Sequence, residues 1–138
     1  MRDMQKVLDL WGTWAASDSN SVDYSTIAAG FKGLLPQTSK TRLQCSDDDG
    51  LIIEGCMSRL RKRSLYDYEL LVAYYIFRVS KRGMAKRRKK SEKQIRIEMQ
   101  LAEGFIEGCL SMLNIPLEMD PIVYAENRQK NATAVRIF

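Results

Sequence analysis

The chain has 138 residues, 45% of them hydrophobic and 28% charged, with a formal net charge of +5. This composition suits one domain, or one domain with a tail, that buries a core and is too apolar for global disorder. It contains no histidine, which excludes Ser-His-Asp and Cys-His catalysis, imidazole-ligated zinc and a histidine pH switch.

Met4, Val7, Leu8, Trp11, Trp14 and Ala15 follow helical spacing, so residues 3–16 read as an amphipathic helix. Ser17–Ser21 is a polar breaker. Residues 22–44 have no clear period. A short helical turn is expected near Tyr24–Ala29, followed by a long loop with Gly30, Gly33, Pro36 and the cations Lys32, Lys40 and Arg42. Long loops in small domains are often functional. Asp47-Asp48-Asp49-Gly50 ahead of Leu51, Ile52, Cys56 and Leu60 reads as a helix start, with an Asp cap and acids at the positive dipole end. A metal site is the sharper reading of three acids, but neighbouring side chains splay apart and no calcium-loop spacing follows. Arg59, Arg61, Lys62 and Arg63 suit the C-terminal end of that helix.

Ser64 can cap a helix over Leu65–Val79, apolar nearly all round and hence central. Its tyrosines could stack bases, but at helical spacing they read first as core. Ser80 can cap Lys81–Arg88, and Ser91 can cap a long helix over Glu92–Asn114, ended by Pro116. Ile95, Met99, Ala102, Phe105, Ile106, Cys109, Leu110 and Leu113 form the inner face of this long helix, and Gly104 and Gly108 suggest close helix packing. Residues 1–121 are expected to form the helical domain, and 122–138 a C-terminal extension. No strand set or internal repeat is apparent; the fold class is all-α.

The net charge is concentrated. Residues 78–96 carry ten basic groups and a single acid, Glu92, whereas the segments on either side are slightly acidic. Such a block repels itself unless a polyanion neutralises it. Helices 81–88 and 92–114, joined at Lys89-Lys90-Ser91, have helix-turn-helix proportions. Ala85 falls at the close approach, and Ile95 docks the second helix on the first. In a helix-turn-helix the start of the second helix enters the major groove, which makes Ser91, Glu92, Lys93, Gln94 and Arg96 the base-reading candidates. Lys81, Arg82, Lys86, Arg87, Lys89 and Lys90 are the phosphate-contact candidates. Three features depart from the common pattern. Lys89 stands where glycine is usual, Arg88 and Lys90 stand where apolar residues are common, and Gly83 weakens the first helix.

Cys45, Cys56 and Cys109 are isolated and form no CxxC pair, as expected of core thiols in a reducing cytoplasm. The N-terminus has no apolar signal region, and no apolar run approaches the roughly 18 residues of a membrane span. Nothing in the chain calls for a metal or cofactor. A nuclease using Asp47, Asp48 and Asp49 is disfavoured, because adjacent acids do not converge. An RNA-binding module and a helix-turn-helix regulator acting at initiation stay open.

The motifs WGTWAA (11–16), IAAGFKGLLPQTSK (27–40), DDDGLIIEGCMSRL (47–60), VSKRGMAKRRKKSEKQIR (79–96) and QLAEGFIEGCLSMLNIPLEMDP (100–121) together give the family resemblance. The chain resembles the antitermination Q proteins of lambdoid bacteriophages, of the phage-21 type rather than the zinc-containing lambda type. The resemblance implies a core similar to region four of sigma factors, with the DNA-reading helix start on Ser91–Arg96. It implies binding to duplex DNA beside a phage late promoter and engagement of paused host RNA polymerase with sigma still bound. It further implies terminator read-through by narrowing the RNA-exit channel, with nascent RNA nearby and room for a second copy on the DNA. With that resemblance, the loop 30–44, carrying Lys32, Lys40 and Arg42, is a candidate polymerase- or RNA-facing element.

Overall fold

The computed structural model describes residues 1–17, 22–36 and 42–124. Lys40 and most of the predicted 122–138 extension lie outside the described residues, as does most of the 17–21 breaker. Among the described residues the regular elements are all helices: α1 (Met4–Ala15), α2 (Ser25–Gly30), α3 (Asp47–Arg63), α4 (Leu65–Tyr75), α5 (Lys81–Arg88), α6 (Glu92–Met112) and α7 (Asp120–Val123). The all-α expectation holds.

Helix α4 is central, packed by α1, α2, α3 and α6. Leu70, Leu71, Val72 and Ala73 are fully buried, as expected of a helix that is apolar on every side. Ser64 caps it, accepting from the Asp67 N–H at 3.2 Å. Its backbone meets α1 at Gly12, where a Cβ would lie 2.0 Å from the Tyr75 carbonyl oxygen. The helix ends at Tyr75, four residues before the predicted Val79. Arg78 takes a left-handed conformation (φ 60°) and turns the chain so that Val79 is buried. Its guanidinium donates to the Asp9 carboxylate and, at 2.9 Å, to Thr13, both on α1. These tertiary contacts have no local sequence signature.

The start of α3 also differs from expectation. Ser46, not an aspartate, is the cap, accepting from the Asp49 N–H at 3.2 Å. The three acids that follow have separate surroundings. Asp47 accepts from the Trp14 indole at 2.8 Å, and Asp48 is exposed. Asp49 is buried and accepts from the backbone N–H groups of Glu118 and Met119 at 2.8 and 2.9 Å. The last of these ties α3 to the chain segment after α6. Gly50 lies under Trp14, where a Cβ would sit 2.4 Å from the indole ring.

Helix α6 buries Ile95, Met99, Ala102, Ile106 and Leu110, while Phe105 and Cys109 are half-buried. Leu113 is about half exposed and does not belong to the inner face. The helix ends at Met112 rather than Asn114, because Asn114 takes the left-handed conformation (φ 51°) and the Ile115 N–H returns to the Leu110 carbonyl at 3.1 Å. Pro116 follows this stop and does not cause it. Gly104 and Gly108 pack against nothing, since added Cβ atoms there would meet open space. The close-packing expectation is therefore wrong for both.

Helix α7 straddles the predicted boundary at residue 121, and Val123 is part of the core. Buried Arg2 donates to Asp120 at 2.7 Å and to the Ile115 carbonyl at 2.7 Å, and the Asp3 N–H donates to the Val123 carbonyl at 3.1 Å. Cys45 and Cys56 are buried, and burial pushes their thiols up to about 12 and about 11, as for unreactive core cysteines.

Candidate nucleic-acid interface

Helices α5 and α6 form the predicted pair and pack on each other. Ser80 caps α5, accepting from the Gly83 N–H at 3.0 Å. Gly83, Met84 and Ala85 form the buried face of α5, and Ile95 and Met99 lie on the buried face of α6. Gly83 has a steric reason to be glycine. A Cβ there would lie 3.1 Å from Ser80 Oγ and 3.4 Å from Leu34 Cδ2.

The turn is a Schellman motif built on a lysine. Lys89 is left-handed (φ 57°, ψ 45°), the Lys90 N–H donates to the Ala85 carbonyl at 2.9 Å, and the Lys89 N–H donates to the Lys86 carbonyl at 3.3 Å. Glycine is usual there because an L side chain crowds the backbone in this region. Ser91 then caps α6, accepting from the Gln94 N–H at 3.1 Å.

The cations around the turn differ in what holds them. Arg87, Arg88 and Lys90 are held by the fold, as Arg78 is. Arg88 lies over the Tyr66 ring at 4.2 Å and near Phe31 at 5.4 Å, with Glu69 at 3.6 Å. An arginine thus occupies an apolar position because its planar guanidinium stacks on aromatic faces. Lys90 pairs with Glu98 at 2.8 Å and also lies over the Tyr66 ring, 4.4 Å from its centroid. Arg87 donates to the Gly30 and Lys32 carbonyls, both at 2.6 Å, which docks the start of the 30–44 loop on α5.

Another group is free. Arg82, Lys86, Lys89 and Lys93 are exposed, and among the described residues none has a carboxylate within ion-pair distance. Arg82 and Lys86, four apart, share one outer face of α5; Lys89 follows at the left-handed turn, and Lys93 lies in the first turn of α6.

The remaining base-reading candidates are internally satisfied. Glu92 pairs with Arg96 at 3.0 Å, one helical turn on, and the Gln94 amide donates to Glu98 at 3.0 Å. Glu98 is a hub that sequence reasoning missed. It accepts from Lys90, Gln94 and, at 2.6 Å, the Tyr66 hydroxyl. Burial pushes its carboxyl up, but these donors outweigh burial and hold it below the ordinary value. The Gln94–Glu98 spacing was visible in the sequence; the Tyr66 contribution, 32 positions away, was not.

The loop cations do not form one cluster. Lys32 is exposed beside Arg87, while Arg42 sits 3.5 Å from Asp9 of α1, at the other end of α5 with Lys81. Among the described residues, no group of histidine, cysteine or acidic side chains converges as a metal site, and no helix is long and apolar enough to cross a membrane.

A family model described as phage antitermination protein Q matches residues 1–118. A probable antitermination protein Q from Acyrthosiphon pisum secondary endosymbiont phage 1 is 47% identical over 97% of this chain and 91% of its own. The prophage antitermination protein Q homolog QuuD of Escherichia coli K12 is 47% identical over 92% of this chain and its own full length. Antitermination protein Q of Escherichia phage 933W is 44% identical over 91% of this chain and 88% of its own. Among solved structures, transcription antitermination factor Q21 matches with a TM-score of 0.53 over 98% of this chain and 93% of its own; at 19% identity this likeness speaks for the fold. With most of its length matched by the family model and by relatives at this level of identity, the chain belongs to the phage antitermination protein Q family, the proteins of phage transcription antitermination.

Proposed function

We propose that the outer face of α5 and the first turn of α6 hold duplex DNA beside a phage late promoter, that the DNA-bound protein loads onto paused host RNA polymerase while sigma is still present, and that it then permits terminator read-through. The supporting observation is the unpaired run Arg82, Lys86, Lys89 and Lys93 beside a helix start capped by Ser91. Phosphates neutralised by Arg82, Lys86 and Lys89 release counterions, so affinity falls with a log–log salt slope of about −2.7 if each takes one phosphate. Lys81 and the exposed parts of Arg87 and Lys90 add to the same field at longer range.

Base reading falls to Ser91, Glu92, Lys93, Gln94 and Arg96. In the free protein, Arg96 and Gln94 are occupied by Glu92 and Glu98. Exposed helical pairs of this kind are worth only about 0.2–0.5 kcal/mol, so a matching base edge displaces them and a wrong one leaves them closed. Polymerase engagement, the place of sigma and the narrowing of the RNA-exit channel rest on the family resemblance. So do a second copy on the DNA and a position in the host cytoplasm at the nucleoid.

Footprinting of purified protein on late-promoter DNA, with and without stalled polymerase, tests the reading. A protected site beside the promoter is expected; no protection at low ionic strength, even beside polymerase, overturns it. The second reading, a helix-turn-helix regulator acting at initiation alone, draws on the same two helices. A transcription template with a downstream terminator separates the two, because only an antiterminator raises the fraction of transcripts that pass it.

A further inference from the structure

Helix α5 has a second basic feature at its N-terminal end. A cavity of about 360 Å³ there is lined by Asp9, Arg42, Tyr74, Arg78, Ser80 and Lys81, among others. Three cations and one carboxylate face it. Asp9 is shared, taking Arg78 as its close partner and Arg42 at 3.5 Å. Arg78 is further tied to Thr13 at 2.9 Å. Lys81 has no carboxylate within ion-pair distance among the described residues; its ammonium rests over the Tyr74 ring at 5.1 Å, and Glu103 acts on it only at longer range. Arg42 is nearly half exposed and held by a single long contact. The concavity therefore carries an excess of about two positive charges.

Its position gives the excess a use. Helix α5 has eight residues, so its ends are about 12 Å apart. That is close to the width of the major groove. With the Lys89–Ser91 turn over one groove edge, the cavity lies at the distance of the opposite backbone. We infer that Arg42 and Lys81 form a second clamp for a backbone phosphate of duplex DNA, with Arg78 as the fixed wall and Asp9 holding Arg42 in place until the phosphate arrives. This deepens the DNA-binding reading above and rests on it. It also places Arg42 on DNA rather than on polymerase or RNA.

The test is the salt dependence of binding to a short random-sequence duplex, since a phosphate contact acts on any sequence. Arg42→Gln with Lys81→Gln should flatten the log–log slope by about 0.9, the loss of one phosphate. Lys81→Arg alone keeps the charge and should leave the wild-type slope. Arg59→Gln with Lys62→Gln removes the same charge from exposed positions at the end of α3 and should leave the slope unchanged. Equal flattening by both pairs would mean diffuse attraction and overturn the clamp. An unchanged slope for Arg42→Gln/Lys81→Gln, with Lys86→Ala still flattening it, refutes the clamp and leaves the α5 face standing. Failure of Lys86→Ala as well, or no duplex binding by the wild type, removes the underlying reading and the clamp with it. If the double variant melts early, Lys81→Gln alone carries the same comparison.

Discussion

Replacing Lys89 by glycine separates stability from DNA binding in a single residue. Lys89 holds φ 57° and ψ 45°, a conformation that costs an L residue about 1–2 kcal/mol. Glycine removes that cost but carries about 0.5–1 kcal/mol of extra unfolded-chain entropy. Lys89→Gly should therefore stabilise the fold by about 0.5–1 kcal/mol, the Schellman bonds from Lys90 to Ala85 being backbone and unaffected. For a chain of this size the melting temperature should rise by about 2–4 °C. The same change deletes one exposed, unpaired cation, so duplex affinity should fall with a slope flatter by about 0.9. Lys89→Asn tolerates the left-handed region and also lacks the charge, so it should follow glycine in binding and lie between lysine and glycine in stability. Thermal melts and salt-titrated binding on the same samples read both quantities. A melting temperature that falls would contradict the strained-cap argument. A slope that does not move would take Lys89 out of the interface.

Arg88→Leu should hold stability within about 1 kcal/mol, because the side chain packs on Tyr66 and Phe31 rather than facing water; its duplex salt slope should match wild type, whereas that of Lys86→Ala should not. Gly12→Ala should cost at least about 3 kcal/mol in a denaturant melt, because its Cβ would meet the α4 backbone at 2.0 Å and backbone cannot swing aside. Glu54 and Glu103 are both pushed up, chiefly by burial. Above the ordinary value of 4.5 the folded state then holds more protons than the unfolded state, so stability falls as pH rises from there through the raised values. Glu103→Gln, which can still accept from the Tyr75 hydroxyl, should flatten that part of the pH profile, and an unchanged profile would show that Glu103 is ordinary.

Where local chemistry decides, the sequence was readable. Ser64, Ser80 and Ser91 each cap the helix they precede, because a serine ahead of an apolar-periodic run offers an oxygen to the free N–H groups. The misses arise where a distant partner decides. Helix α4 stops early because Arg78 turns toward Asp9 on α1, and Asp49 is a buried clasp for residues 118 and 119 rather than part of a cap. Gly104 and Gly108 misled because small residues announce a close approach only if a neighbour is present. In the candidate interface the charge block was legible as a total. Its division into free and occupied cations depends on Tyr66, Phe31, Glu69, Glu98 and the 30–32 carbonyls, which come from other elements.

The most direct test of the account is single-round transcription from a phage late promoter through a terminator, comparing wild type with Lys86→Glu/Lys93→Glu. Both positions are exposed and unpaired, so the double variant should fold as wild type and differ in its charge toward DNA. The account predicts that wild type raises the fraction of full-length transcripts and that the variant does not, with initiation levels equal. Equal read-through by the two proteins would show that the α5–α6 face does not deliver the protein to polymerase.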